Sequence, residues 1–241
     1  MKIKMALSPN FDKKKRSKNL IKIIVIHYTG MQSGRESLAR LRSQKFMVSS
    51  HFFISEAGNI YKLVEENKTA WHAGKSHWGK YKDINKNSIG IELVNKGHRY
   101  GYKSFKKKQI NSLIKICNFL KKKYKIKNKN IVGHSDVAPL RKNDPGEKFP
   151  WKQLAKRKIG IWHNLKPNFL KNFRKAKILT KQDKVKFAKN LNSIGYCFSN
   201  NKKSFISKTV KAFQRHYRQE LINGLVDKEC LIIAENLPKK L

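Results

Sequence analysis

Two periods of hydrophobic and polar positions run along this chain, and the place where one gives way to the other divides it. Ile21-Lys22-Ile23-Ile24-Val25-Ile26 is a short, nearly continuous β-branched run, the pattern of a strand covered on both faces. Val48–Ile54 and Ile60–Val64 read as two more strands, with Glu56-Ala57-Gly58-Asn59 as the hairpin turn between them. Ser88–Asn95, S-I-G-I-E-L-V-N, alternates strictly, so Ile89, Ile91 and Leu93 share one face and Gly90 and Glu92 the other. Ile131-Val132 is a last short strand, running into a loop crowded with turn-forming residues. Helical spacing fills the intervals. Ser33-Gly34-Arg35-Glu36 matches a capping box that opens a helix through about Lys45. Ile110, Leu113, Ile114, Cys117, Leu120 and Tyr124 mark a longer helix over Ser104–Tyr124. The class these elements predict is α/β.

Residues 1–20 read as an extended, basic lead-in, and Phe149-Pro150-Trp151 with a short basic helix closes the first unit. Residues 1–165 are therefore predicted to form one domain, with 166–179 as a basic linker. From 180 to 241 the pattern is purely helical. Thr180 and Asp227 stand at capping positions, and stripes through Phe187, Leu191 and Ile194 and through Ile206, Val210, Phe213 and Tyr217 predict a small three-helix domain.

Composition adds one extreme feature: 56 Lys+Arg against 15 Asp+Glu, a formal charge of +41 over 241 residues. Such a charge suits a polyanionic partner, but lysine spread along the whole chain equally fits enrichment at solvated positions, and it specifies no nucleic acid. Cys117, Cys197 and Cys230 are far apart and form no C-x-x-C pair, which argues against a thiolate zinc finger or a disulfide framework. Cys117 falls on the apolar side of its helix and is expected to be a buried free thiol. The first residues are basic but lack an apolar segment of about 7–15 residues, and no stretch approaches the ~18–20 apolar residues of a membrane span. The expected location is cytoplasmic, with periplasmic as the alternative.

Chemistry concentrates in G-H-S-D-V-A-P-L-R-K-N-D-P-G, Gly133–Gly146. Of the eight histidines, His77, His98, His163 and His216 sit in polar loops or on a basic helix and read as ordinary surface residues. His27 and His134 differ, because each ends a short apolar strand, where ligands collect in α/β sheets. Asp144 follows His134 by ten residues. Two imidazoles and one carboxylate match a catalytic zinc site, three N and O ligands with a position left for water. Glu92, costly in mid-strand unless it faces a cleft, is the natural proton shuttle, and Lys142 the natural cation for a developing oxyanion. From spacing alone, a plainer reading stands level: Glu92 salt-bridges to a lysine and Asp144 caps a turn before Pro145.

I-V-I-H-Y-T, W-H-A-G, S-I-G-I-E-L-V-N and the Gly133–Gly146 loop, in this order, resemble the zinc-dependent N-acetylmuramoyl-L-alanine amidases of the type-2 family, over roughly residues 5–165. The resemblance implies a mixed β-sheet flanked by helices. It implies zinc on His27, His134 and Asp144, with Glu92 and Lys142 assisting catalysis. It also implies a substrate, the amide between the lactyl group of N-acetylmuramic acid and L-alanine in peptidoglycan or anhydro-muropeptides. Trp71-His72-Ala73-Gly74 matches a loop bordering the family's substrate groove, which makes His72 a substrate-binding candidate. Some relatives carry a tyrosine near the active site where Ser50 stands here, so that role does not transfer. Ala212-Phe213-Gln214, Tyr217 and Gly224-Leu225-Val226-Asp227 resemble the small three-helix peptidoglycan-binding domain. A non-catalytic wall-binding protein is the alternative the resemblance leaves, although such relatives typically lack a metal ligand.

Overall fold

The computed structural model describes residues 1–176, 180–198 and 203–240. In chain order the elements are β1 (Ile3–Met5), β2 (Phe11–Asp12), β3 (Ile23–Tyr28), α1 (Gly34–Arg42), β4 (Phe52–Ile54), β5 (Ile60–Lys62), β6 (Thr69–Ala70), α2 (Ile84–Asn87), β7 (Ser88–Leu93), α3 (Lys107–Tyr124), β8 (Ile131–Gly133), α4 (His134–Val137), α5 (Trp151–Lys156), α6 (Pro167–Lys171), α7 (Lys181–Ile194), α8 (Lys203–Tyr217) and α9 (Lys228–Asn236). Six strands form one mixed sheet in the order β1-β5-β4-β7-β3-β8, in which only β4–β5 is antiparallel, and β2 pairs with β6. The α/β class and the mixed sheet are both as expected.

The β-branched run becomes β3, held between β7 and β8, and Ile23 to Ile26 are fully buried. Its two faces meet different layers. Ile24 and Ile26 join Ile89, Ile91 and Leu93 under Leu113, Ile116, Cys117 and Leu120 of α3, so Cys117 is the buried thiol its spacing predicted. On the opposite face, α1 covers Phe53 with Leu41 and Leu38. Ser33 accepts the Glu36 N–H at the head of α1, and Ser43, earlier than the expected Lys45, ends it. Ile23, Val25 and Val132, also on that second face, pack into one core with Phe187, Tyr196, Phe213 and Tyr217 of the C-terminal helices.

Phe213 and Tyr217 are thus core residues. Thr180 and Asp227 cap α7 and α9 as their positions suggest. Between the two units, α6 buries Leu170, and Arg174 forks onto both oxygens of Glu229 at 2.9 and 2.8 Å. Residues 177–179 of the expected linker, and 199–202 and 241 of the expected helical domain, lie outside the described residues. The basic lead-in does more than extend: β1 adds an edge strand beside β5, and Arg16 is buried, donating to the carbonyls of Glu66, Asn85 and Lys86. A three-residue strand is too short to show a period of its own.

One ion-pair cluster ties the loop after β5 to α3. Glu66 receives Lys62 at 3.0 Å and Lys123 at 3.2 Å. Burial alone would raise its pKa, but its own backbone N–H and the two ammonium groups outweigh burial and bring it below the usual range. A carboxylate lowered in the folded state stabilises at neutral pH, and that contribution is lost as pH falls through the folded value. Denaturant titrations should therefore show wild type losing more stability than Glu66→Gln on going from pH 6 to pH 3, and parallel losses would exclude the cluster as the cause.

Candidate metal centre

Parallel register sets the first two functional side chains. His27, near the end of β3, is the direct partner of Glu92 on β7, so both side chains leave the same face of the sheet. β8 ends at Gly133 beside Ile26, and the chain enters α4 with His134 as its first residue. The loop then returns so that the Ser135 N–H donates to the Asp144 carbonyl at 2.8 Å. That return brings Asp144 between the two histidines. His27 Nδ1 stands 3.0 Å from His134 Nδ1 and 3.0 Å from Asp144 Oδ2, and His134 Nδ1 is 3.1 Å from the same oxygen. All three residues are buried. Glu92, His72 and Lys142 line the same cleft of about 390 Å³, with Trp71, Tyr28 and Arg40 on its walls.

The outer hydrogen bonds set the tautomers. His134 Nε2 faces the Ala73 carbonyl at 3.2 Å, and a carbonyl only accepts, so Nε2 carries the hydrogen and, in the neutral ring a metal requires, Nδ1 presents the lone pair. For His27 the chain of inference is longer. The Ser88 hydroxyl donates to the Ile84 carbonyl, so its oxygen accepts from His72 Nε2 at 3.1 Å. His72 Nδ1 is then an acceptor for His27 Nε2–H at 3.0 Å, and His27 Nδ1 is left unprotonated. Burial first, then the neighbouring His134, hold His27 down to about 4, and burial keeps His72 well below its ordinary value, so both are neutral at pH 7. For Asp144, burial works toward a higher pKa, and positive charge at the position that His134 and His27 share with it works against burial and holds the carboxyl well below the usual range.

Two imidazole lone pairs and a carboxylate oxygen therefore converge with no proton among them. That arrangement repels itself unless a cation sits at its centre. Tetrahedral zinc with bonds of about 2.0–2.1 Å sets its donors roughly 3.3 Å apart, close to the separations here. The donor set fits a metal ion.

Glu92 presents a different electrostatic state. Its Oε2 is buried without a hydrogen-bond partner among the described residues. Burial, then the Asp144 charge, push its pKa up to about 8, while Lys142 pulls it back. A dication at the triad would act in the same sense as Lys142 and favour the carboxylate.

Every residue singled out in the sequence meets here, but several supports are legible only in space. The W-H-A-G segment supplies the outer partner of both histidines, His72 Nδ1 for one and the Ala73 carbonyl for the other. His72 also faces the cleft, with both ring nitrogens bonded within the protein. Gly90 makes room for it, since a Cβ there would stand 2.5 Å from His72 Cγ. His51 in turn accepts the Gly90 N–H at 3.0 Å. Arg141 of the metal loop clamps the W-H-A-G turn through the Ala73 and Lys75 carbonyls. Ser50 is buried and donates to the Phe52 carbonyl, so it offers the cleft no hydroxyl. His216, expected on a solvated face, is instead buried and paired with Asp136 at 2.7 Å, because it lies beside the apolar stripe of α8.

Residues 16–147 match the Amidase_2 family, N-acetylmuramoyl-L-alanine amidase. The N-acetylmuramoyl-L-alanine amidase AmiD of Escherichia coli K12 is 37% identical over 234 residues, covering 91% of this chain and 83% of that protein. Its structure, in complex with the substrate anhydro-N-acetylmuramic acid-L-Ala-D-gamma-Glu-L-Lys, superposes with a TM-score of 0.79 at 34% identity, covering 95% of this chain and 92% of that one. AMPDH3 of Pseudomonas aeruginosa, in complex with anhydromuramic pentapeptide, gives 0.80 at 28% identity and covers 96% of each. The 1,6-anhydro-N-acetylmuramyl-L-alanine amidase AmpD of Haemophilus influenzae is 34% identical over 164 residues, 61% of this chain and 86% of that protein.

Removing the acceptor that fixes His27 should cost metal affinity. His72→Leu is expected to weaken metal binding roughly 10–100-fold in a chelator competition, and His72→Asn, whose Oδ1 stands in for Nδ1, to retain most of it. Equal affinity in wild type and His72→Leu would remove His72 from the support of the site.

Proposed function

The chain belongs to the N-acetylmuramoyl-L-alanine amidase family and is an amide hydrolase of that kind, and on that premise we propose that zinc, held by His27, His134 and Asp144, serves cleavage between the lactyl group of N-acetylmuramic acid and L-alanine. The observation that carries the metal is the convergence of three unprotonated donors at 3.0–3.1 Å. The substrate class rests on the family and on the anhydromuramyl peptides bound by the two relatives that span nearly this whole chain.

Zinc in this position supplies Lewis acidity toward the amide carbonyl and acidifies water. The remaining work falls to the chain. Glu92 projects from the strand beside His27, into the cleft, with one oxygen free of partners. As a carboxylate it takes the proton of the attacking water. Its environment, buried and close to Asp144, raises its affinity for that proton and so favours the first transfer, and the resulting acid then passes the proton to the departing amine of L-alanine. Lys142 enters the cleft from the metal loop, and its charge acts on both His27 and Glu92. In this reading it stabilises the oxyanion of the tetrahedral intermediate.

Three measurements test this division of labour on a muropeptide carrying the lactyl–L-Ala amide. Glu92→Ala should lower turnover about 10²–10⁴-fold while zinc content by elemental analysis stays at wild-type level. Lys142→Ala should lower kcat by roughly 10²–10³ with little change in metal affinity. Chelation should abolish release of the stem peptide, and added zinc should restore it. Near-wild-type turnover in zinc-loaded Glu92→Ala would refute its role as shuttle.

A further inference from the structure

The residue two positions after the ligand His134 takes most of its support from the other end of the chain. Asp136 is 2% exposed and accepts three hydrogen bonds. One is local: the Gly133 N–H donates to Oδ2 at 2.7 Å and closes the head of α4. The other two come from the C-terminal helices. The Tyr196 hydroxyl donates to Oδ1 at 2.6 Å, and His216 Nδ1 lies 2.7 Å from Oδ2. Both donors are themselves immobilised. The His216 ring is stacked between Trp151 and Tyr217, with centroids 3.9 and 4.0 Å away. Tyr196 packs edge-on against Trp78, and Gly195 before it, at φ +137°, leaves the space a Cβ would contest with the Trp78 ring at 2.5 Å.

α4 has only four residues, and its first is a metal ligand. So short a helix has little stability of its own and depends on its caps and neighbours. Two further backbone ties hold it: the Ser135 N–H to the Asp144 carbonyl, which leads into the metal site, and the His77 N–H to the Val137 carbonyl. Removal of the two distant donors would leave a buried carboxylate with a single N–H, a state that costs enough to drive rearrangement. The element free to rearrange is α4, and with it both His134 and the backbone bond that returns Asp144.

We infer that the C-terminal helical unit is a structural part of the metal centre: Tyr196 and His216 are positioning residues that act through Asp136 on His134 and Asp144. This rests on the reading of His27, His134 and Asp144 as metal ligands. It gives the unit a role in the hydrolase reaction that is separate from any affinity for the wall.

The test uses the full chain, with zinc affinity measured by chelator competition and the visible spectrum of the cobalt-substituted protein as an independent report on ligand geometry. His216→Leu is expected to weaken metal binding roughly tenfold and to shift the cobalt bands. Tyr196→Phe, which deletes one hydroxyl and keeps the ring, should do so by a smaller factor. His216→Asn places an N–H where Nδ1 stood and should recover most of the loss, which simple destabilisation of the fold would not allow. Should His216→Leu fail to fold, Tyr196→Phe decides the matter. Folded His216→Leu or Tyr196→Phe with wild-type zinc affinity and an unchanged cobalt spectrum would overturn the inference while leaving the hydrolase reading intact. Failure of the wild-type chain itself to bind zinc would instead overturn the metal site.

Discussion

Two imidazoles and a carboxylate, turned toward one another at hydrogen-bond distance with the far nitrogen of each ring already bonded, form the constraint on which the functional half of this molecule depends. Left alone, the three lone pairs would repel and the side chains would turn away. They are held because each histidine is bonded on its far side, His27 through His72 and His134 through the Ala73 carbonyl. The folded chain therefore bears an electrostatic cost that a dication relieves. That relief is the physical content of calling the site a metal centre.

The sheet carries this arrangement through register rather than through loop flexibility. Pairing of His27 with Glu92 sets ligand and carboxyl side by side on two buried parallel strands. Pairing of Val25 with Gly90, one step back on the same face, opens the space that the His72 ring fills. A shift of one residue in β7 would send Glu92 into the core under α3 and bring Ile91 or Leu93 to its place beside His27. The same alternation sets Ile24, Ile26, Ile89, Ile91 and Leu93 on the opposite face under α3, so the packing that stabilises the sheet also protects the register.

Around the sheet, the two halves of the chain share more than a surface. Val25, Val132 and Trp78 pack in one core with Phe213 and Tyr217, and the carboxylate of Asp136 lies between them. Phe213 and Tyr217, which belong to the segments that resemble a peptidoglycan-binding domain, are consumed by this packing. What the helices offer an outside partner must come from other positions, while their inner face is committed to the loop that ends β8.

Local pattern was enough to determine the α/β class, the strands at β3 and β7, α3, and the caps of α7 and α9, because hydrophobic period and capping chemistry act over a few residues. It also singled out His27, Glu92, His134, Lys142 and Asp144, since strand-end histidines and a mid-strand carboxylate are anomalies that local chemistry must explain. Tertiary structure alone decided the rest. The tautomers of both histidine ligands follow from a carbonyl at residue 73 and a serine at residue 88, brought together by strand pairing. Burial of His216 could not be read from α8, whose neighbouring lysines and arginine give it a solvated appearance, because its partner lies 80 residues away. Such interactions leave no period in the sequence. They depend on where whole elements come to rest, and only the packed molecule fixes that.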